Sequence, residues 1–405
     1  MRKDVEDVVK KAGMILALLL CVLGAASFYM IRGSIPDELH MVRGSGKEMT
    51  LDLPFVEQEA VEAGGHEKSN IPEGDVKISC KLLGVIPIKE IDVHMVEEKQ
   101  VIPGGEPIGI YMKTRGILVV GTGTINGMDG LDYEPALNIV QSGDYITAVN
   151  GHPVEKKEKL TEIVNQGEGA EVVLDVMRNG EMTSLRISPV NTAREEYRLG
   201  IWVRDDTQGI GTLTFIDEQR HFGALGHGIS DVDTGELLNL SGGTLYRTDI
   251  VSVKKGERGA PGELAGVIRY REEEKLGDIH ANTNDGIFGD VNENMTAASV
   301  PVEVAYRQDV TEGPVVIRCA VDGEVKEYQA EIEKIYLNSR DANKSIVIHT
   351  TDPALLETTG GIVQGMSGSP ILQNGRIVGA VTHVFVNDPT KGYGIFIENM
   401  LDAAE

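Results

Sequence analysis

Apolar residues follow three successive patterns along this chain. From Ala12 to Ile31 there are twenty residues without a charge, enough at ~1.5 Å rise per residue to cross a ~30 Å hydrocarbon core. The run is longer than the ~7–15 residues of a signal-peptide core, although Gly24-Ala25-Ala26-Ser27 has the small residues of a cleavage site. Arg2, Lys3, Lys10 and Lys11 precede it. That charge placement predicts an uncleaved anchor (12–31), with 1–11 in the cytoplasm and everything after Arg32 on the far side. Gly33–Glu73 is polar, with Pro36, Pro54, Pro72 and Gly64-Gly65, and reads as a stalk. Val76–Met95 alternates apolar and polar residues, which predicts one or two strands and ends a linker region spanning 32–96.

Beyond Val101 the pattern is that of many short strands broken by glycine. Gly116–Gly121 and Glu171–Met177 read as strands, the second followed by a hairpin at Asn179-Gly180, with a polar helix-like stretch at Lys157–Gln166 between them. Asn191–Arg198 is a polar joint. Leu199–Val203, Gly211–Ile216, Gly223–Ile229, Val302–Tyr306, Val315–Val321, Glu327–Leu337 and Ser345–His349 continue the series. The expected fold class is mainly β behind one transmembrane helix.

Composition sharpens this. At 405 residues the chain has room for two or three domains. With 48 glycines and only 7 phenylalanines it suits short strands and tight turns. A formal net charge of −25, with no basic stripe, argues against nucleic acid and against general adhesion to anionic lipid. Cys21 lies in the anchor, while Cys80 and Cys319 have no metal-ligand spacing and read as ordinary buried residues. No His-Glu-x-x-His and no Cys/His cluster occurs, so neither metal nor cofactor is expected.

The chemistry concentrates in Gly361-Ile362-Val363-Gln364-Gly365-Met366-Ser367-Gly368-Ser369-Pro370. A serine attacks a carbonyl only where its backbone bends sharply and amides face the developing oxyanion. Glycines at 365 and 368 allow the bend, Ser367 is the candidate nucleophile, and the amides of Gly365 and Ser367 are the candidate oxyanion donors. A plain Gly/Ser hairpin has the same composition, so a base must be found. His227, between glycines in Ala224-Leu225-Gly226-His227-Gly228-Ile229-Ser230-Asp231, is the best placed, with His349 and His383 weaker. Asp352, fifteen residues before Ser367, is a candidate third group to hold the imidazole tautomer. An aspartate before proline is often only a turn starter, and Asp231, Asp233 and Asp249 are alternatives by position.

Three resemblances follow from these motifs. Gly143-Asp144-Tyr145-Ile146, Val149-Asn150-Gly151 and the Asn179-Gly180 hairpin resemble a PDZ domain over roughly Val101–Pro189, drawn as 97–190. That implies peptide binding by strand addition, here at Ile108, Gly109, Ile110 and Tyr111, although this stretch departs from a Gly-Leu-Gly-Phe-like loop. Gly-x-Ser-Gly-x-Pro, with histidine first and serine last, resembles chymotrypsin-like β-barrel serine peptidases, implying such a domain over 191–405. Met366 replaces the aspartate that usually precedes the serine, which removes the salt bridge that matures the digestive enzymes.

The order of anchor, PDZ-like segment, Gly-His-Gly-Ile-Ser-Asp, the Ser367 block and Ala380-Val381-Thr382-His383-Val384-Phe385-Val386-Asn387-Asp388-Pro389 resembles the stage IV sporulation protein B peptidases. This resemblance implies Ser367 as nucleophile, His227 as base and Asp352 as orienter. It also implies a forespore-membrane protein facing the intermembrane space, which releases itself by self-cleavage. Its expected partners are itself and the inhibitor of a membrane metalloprotease, whose release triggers pro-sigma-K processing. The alternative from another class is a non-catalytic PDZ scaffold with a protease-like structural domain. A serine esterase would need a Gly-x-Ser-x-Gly elbow entering a helix, which is absent.

Overall fold

A computed structural model of the protein describes residues 2–43, 56–61, 76–295 and 299–404. Helix α1 (Arg2–Ser34) runs unbroken through the uncharged segment, and Lys11–Ser34 is long and apolar enough to cross a membrane. Among the described residues most of that stretch is exposed, and only Phe28 and Ile31 near its end are half-buried, against the core of the sheet that follows.

Four strands follow: β1 (Glu38–Val42), β2 (Val56–Val61), β3 (Val76–Leu82) and β4 (Ile86–Val96), in the order β1-β4-β3-β2. Ile35, Leu39, Ile78, Cys80, Ile88, Ile91 and Val93 form their core. The polar stretch expected to be a stalk therefore contributes two strands. Its signal was weak because β1 has only one fully buried side chain, Leu39. The rest of that stretch, 44–55 and 62–75, lies outside the described residues.

The long strand β5 (Pro107–Thr122) then opens a barrel. Its C-terminal half enters a small inserted unit through β6 (Tyr145–Val149), α2 (Lys157–Gln166), β7 (Val172–Arg178) and β8 (Glu181–Ile187), with Ile117 opposite Ile146. Ile117, Val119, Ile146, Val149, Leu160, Val164, Leu174 and Val176 fill its core. The Gly-Asp motif has a structural use: Asp144 is buried and takes a two-pronged ion pair from Arg178 at 2.7 and 2.6 Å.

The chain returns to the barrel in β9 (Ile201–Ile216) and completes it with β10 (His221–Ala224), β11 (Leu240–Lys254), β12 (Lys275–Thr283) and β13 (Gly286–Val291). The ring β5-β11-β12-β13-β10-β9 closes because β9 also pairs with β5. This corrects two expectations. The boundary drawn at 190/191 cuts the barrel, which begins at Pro107 and carries the small unit as an insertion. Ile108–Tyr111 is no free edge: Ile110 lies opposite Gly209 on one side and Leu245 on the other, and Ile108 and Ile110 are buried in the barrel core. A strand paired on both sides has no ladder left for a peptide.

A second closed barrel contains β14 (Gly313–Cys319), β15 (Lys326–Ile335), β16 (Ile346–Thr350), β17 (Pro370–Gln373), β18 (Arg376–Phe385) and β19 (Asp388–Phe396), ordered β14-β15-β16-β19-β18-β17. Helix α3 (Pro353–Thr359) bridges β16 to the Ser367 turn, and α4 (Ile397–Asp402) ends the chain. Phe215 and Phe288 of the first barrel pack against Ile377, Ala380, Ile395 and Met400 of the second region. The expectation of a mainly β protein containing a β-barrel is met.

Candidate active site

The nucleophile turn is built by the second barrel and fastened to the first. Thr212 of β9 donates its amide to Ser367 O at 3.0 Å and its hydroxyl to Gly365 O at 2.8 Å, and Thr214 donates its hydroxyl to Gly368 O at 2.8 Å. Gly368 has φ +94°, and a Cβ there would overlap the Thr212 carbonyl and the Leu225 main chain. Its glycine thus serves the contact between barrels. Met366, beside the serine, is fully buried in the second barrel's core.

Two amides in the turn remain free. Gln364 O accepts from Leu264 N at 2.8 Å, and Met366 O accepts from Ser369 N at 2.9 Å. In a trans peptide the following N–H points the opposite way, so the amides of Gly365 and Ser367 are turned from those partners. Among the described residues neither donates a hydrogen bond, and both residues line one cleft.

His227 lines the same cleft, brought there from the first barrel by Leu225 and Gly226, both in left-handed conformation just after β10. Its Nδ1 lies 2.9 Å from Gly228 O. A protonated Nδ1 makes that contact a hydrogen bond and leaves Nε2 as the acceptor, the tautomer a general base requires. Burial lowers its pKa, which favours the neutral ring. The Ser367 hydroxyl donates to Thr382 O at 2.7 Å. The cleft encloses about 490 Å³ and is walled by Ile110, Ile210, Ile362, Val363, Val384 and Val386, with no charged side chain in its lining.

The family model described as SpoIVB peptidase S55 matches residues 195–401, just over half of the chain. The chain belongs to the SpoIVB peptidase family. It is a serine peptidase. Among solved structures it is similar to the Rv3671c protease in its inactive form, at 15% identity over 48% of this chain and 84% of that one, with a TM-score of 0.27. The active form of Rv3671c from M. tuberculosis matches at 17% identity over 49% and 74%, also with a TM-score of 0.27. No curated protein matches.

In this SpoIVB-family peptidase the structure does not bring Asp352 to His227. The Asp352 carboxylate caps α3, accepting from Ala354 N at 2.9 Å and Leu355 N at 3.2 Å, and also accepts from Gln329 N at 3.2 Å. Asp-Pro at a helix start is the N-cap and N1 pattern. The alternatives are engaged too: Asp231 and Asp233 pair with Arg204, and Asp249 pairs with Arg269. The Gly228 carbonyl is the group that contacts Nδ1. His349 faces Glu333 at 3.3 Å and is absent from the cleft lining. His383 is in the cleft, its ring 4.9 Å from that of His227 and tilted by 35°. Its pKa is lowered by burial first, then by His227 and Lys344, although its outer face still reaches solvent.

Sequence reasoning missed Thr212 and Thr214, whose hydroxyls hold the turn. Thr-x-Thr within a strand looks like ordinary β-propensity. It also passed over Asp285, between β12 and β13, which has no side-chain hydrogen bond among the described residues. Burial raises its pKa. Neighbouring Thr283 packs over Gly228.

Proposed function

We propose that the protein is a membrane-anchored, chymotrypsin-like serine endopeptidase in which Ser367 is the nucleophile and His227 the base. The carrying observation is that one cleft contains Ser367, a histidine whose Nε2 has no partner among the described residues, and the amides of Gly365 and Ser367, which among those residues donate no hydrogen bond. Rotation of the Ser367 side chain from Thr382 O toward His227 starts the reaction. As Oγ bonds the substrate carbonyl carbon, its proton passes to Nε2 and the carbonyl oxygen becomes an oxyanion facing the two amides. Collapse breaks the C–N bond, with Nε2 returning the proton to the leaving amine. Water then repeats the sequence on the acyl-enzyme, releasing the acid and restoring Ser367.

The inserted unit is read as a PDZ-like peptide module, with its groove moved from the sequence-based position. Between α2 and the first residues of β9 is a cleft of about 670 Å³, lined by Leu160, Thr161 and Val164 on one side and Leu199–Val203 on the other. Ile201–Val203 pair with β5 along one edge, and Gly200 is left-handed at φ +68°. An extended peptide added along the other edge would place alternate side chains against α2. Trp202, the sole tryptophan and 67% exposed, reports on that groove.

The sporulation role, self-release and cleavage of a metalloprotease inhibitor in the intermembrane space complete this reading and are supported by membership of the family. A self-cut is assigned to the segment between Arg32 and Pro72. Glu38–Val42 and Val56–Val61 are poorly suited to cleavage, because β1 is paired to β4 and β2 to β3. The test is self-cleavage of the full chain in vesicles beside Ser367→Ala, with N-terminal sequencing of any released form. Cleavage by the parent alone supports the reading; equal cleavage of both proteins, or a new N-terminus inside the inserted unit, overturns it.

A further inference from the structure

The N-terminal sheet reaches back along the anchor. Strand β1 runs parallel to β4 with Glu38 opposite Asp92, and β4 begins six residues earlier, at Ile86. At ~3.3 Å per residue those six residues extend ~20 Å behind Glu38. The contacts bear this out. Lys89 Nζ donates to Ile35 O at 2.6 Å and pairs with Asp37 at 2.8 Å, and Phe28 and Ile31 of α1 pack on the sheet core. The sheet therefore covers the last turns of a helix whose apolar span runs to Ser34.

The turn joining β3 to β4 lies beyond Lys89 on the membrane side, and its side chains are wrong for water. Leu83 is 64% exposed, Val85 79% and Ile86 50%. Leu83 holds φ +50° and Gly84 φ +70°. A Leu82–Val85 turn with both central residues left-handed favours Asn or Asp before Gly, so leucine gives up turn stability there for an exposed apolar side chain. The Glu57 carboxylate lies against Gly84, so one charged group flanks the turn at the level of the headgroups. The second barrel meets the same level: Asn338 Nδ2 donates to Gly33 O and Ile35 O, each at 3.2 Å. Nearby Tyr336 is 40% exposed, with Lys334 Nζ 4.9 Å from its ring centre. Tyrosine and lysine are residues of the membrane interface.

We propose that the Leu83–Ile86 tip dips into the lipid leaflet from which α1 emerges, giving the peptidase a second footing that fixes its tilt over the bilayer. The inference rests on reading α1 as a transmembrane anchor. The occupant is lipid rather than protein because the helix that emerges beside this sheet is itself apolar and exposed from Ala12 to Ser27. The tip is uncharged between Leu82 and Pro87, so neutral phosphatidylcholine suffices despite a net charge of −25.

The test places tryptophan in the full chain, in a Trp202→Phe and Ser367→Ala background, reconstituted in phosphatidylcholine vesicles with or without bromine on the upper acyl carbons. Val85→Trp and, separately, Leu83→Trp are expected to lose roughly half their emission in the brominated vesicles, as interfacial insertion by ~5–10 Å requires. Leu18→Trp reports the anchor independently. Quenched Leu18→Trp with unquenched tip variants would overturn the second footing alone, and unquenched Leu18→Trp would overturn the anchor reading and this one with it. A tip signal that changes only with protein density in the vesicles would assign the tip to a second copy and also overturn the proposal.

Discussion

Thr212→Val removes one hydroxyl from the fastening between barrels and nothing else of size. Thr212 is 3% exposed, and its Oγ1 holds Gly365 O at 2.8 Å, on the residue whose amide is half of the candidate oxyanion site. Losing a buried neutral hydrogen bond and leaving a carbonyl unpaired costs about 1–3 kcal/mol. Its main-chain bond to Ser367 O survives, so the turn stays attached but Gly365 can rotate. If that cost falls on the competent orientation, kcat/KM drops about 5- to 150-fold, mostly in kcat, because the amide serves the transition state. The melting temperature should fall by about 1–2 °C per kcal/mol for a body of this size. Thr212→Ser, which keeps the hydroxyl, should recover most of the rate. The assay is hydrolysis of an apolar peptide by both variants beside thermal unfolding. A stable loss in Tm with an unchanged kcat for Thr212→Val would refute the reasoning and leave Thr212 as a packing residue.

Other outcomes follow from the same geometry. Burial lowers the His227 pKa, so the acid limb of kcat/KM should lie below the ~6.5 of a free imidazole. Stability follows the same sign: the unfolded chain takes up the proton first, so His227's contribution is present above ~6.5 and is lost as pH falls toward the folded value. An acid limb above 6.5 would contradict this. Asp352→Ala should cost about 0.5–2 kcal/mol as a lost N-cap while Asp352→Asn, an equally good cap, restores stability. A folded Asp352→Asn with a ~10⁴-fold lower kcat would instead return Asp352 to the catalytic acid. Burial raises the Cys80 and Cys319 thiols, Cys319 to about 12, and the two lie in different cores. Neither should react with a thiol reagent until the protein unfolds, and rapid native labelling of either would show that its core opens.

Local chemistry was readable from the chain, and pairing at a distance was not. The Ser367 turn and His227 stood out because glycines beside a serine or histidine need a special backbone, which composition reveals. Ile108–Tyr111 alternates in the same way whether it is an edge or is paired on both sides, so its place inside a barrel could not be seen. The insertion had the same effect, since β5 and β9 are neighbours separated by the whole of the small unit. Asp352 could have been recognised: Asp-Pro before Ala354-Leu355-Leu356 is a helix start. Thr212 and Thr214 act across about 150 residues of chain, and no local signal carries that.

A fluorophosphonate bonds only an activated serine, so it reads out whether His227 activates Ser367 as a nucleophile. Intact mass should show one adduct on the parent, mapped by peptide mass to Ser367, and none on Ser367→Ala or on folded His227→Ala. An adduct at another serine, or equal labelling of the His227→Ala variant, would contradict the account.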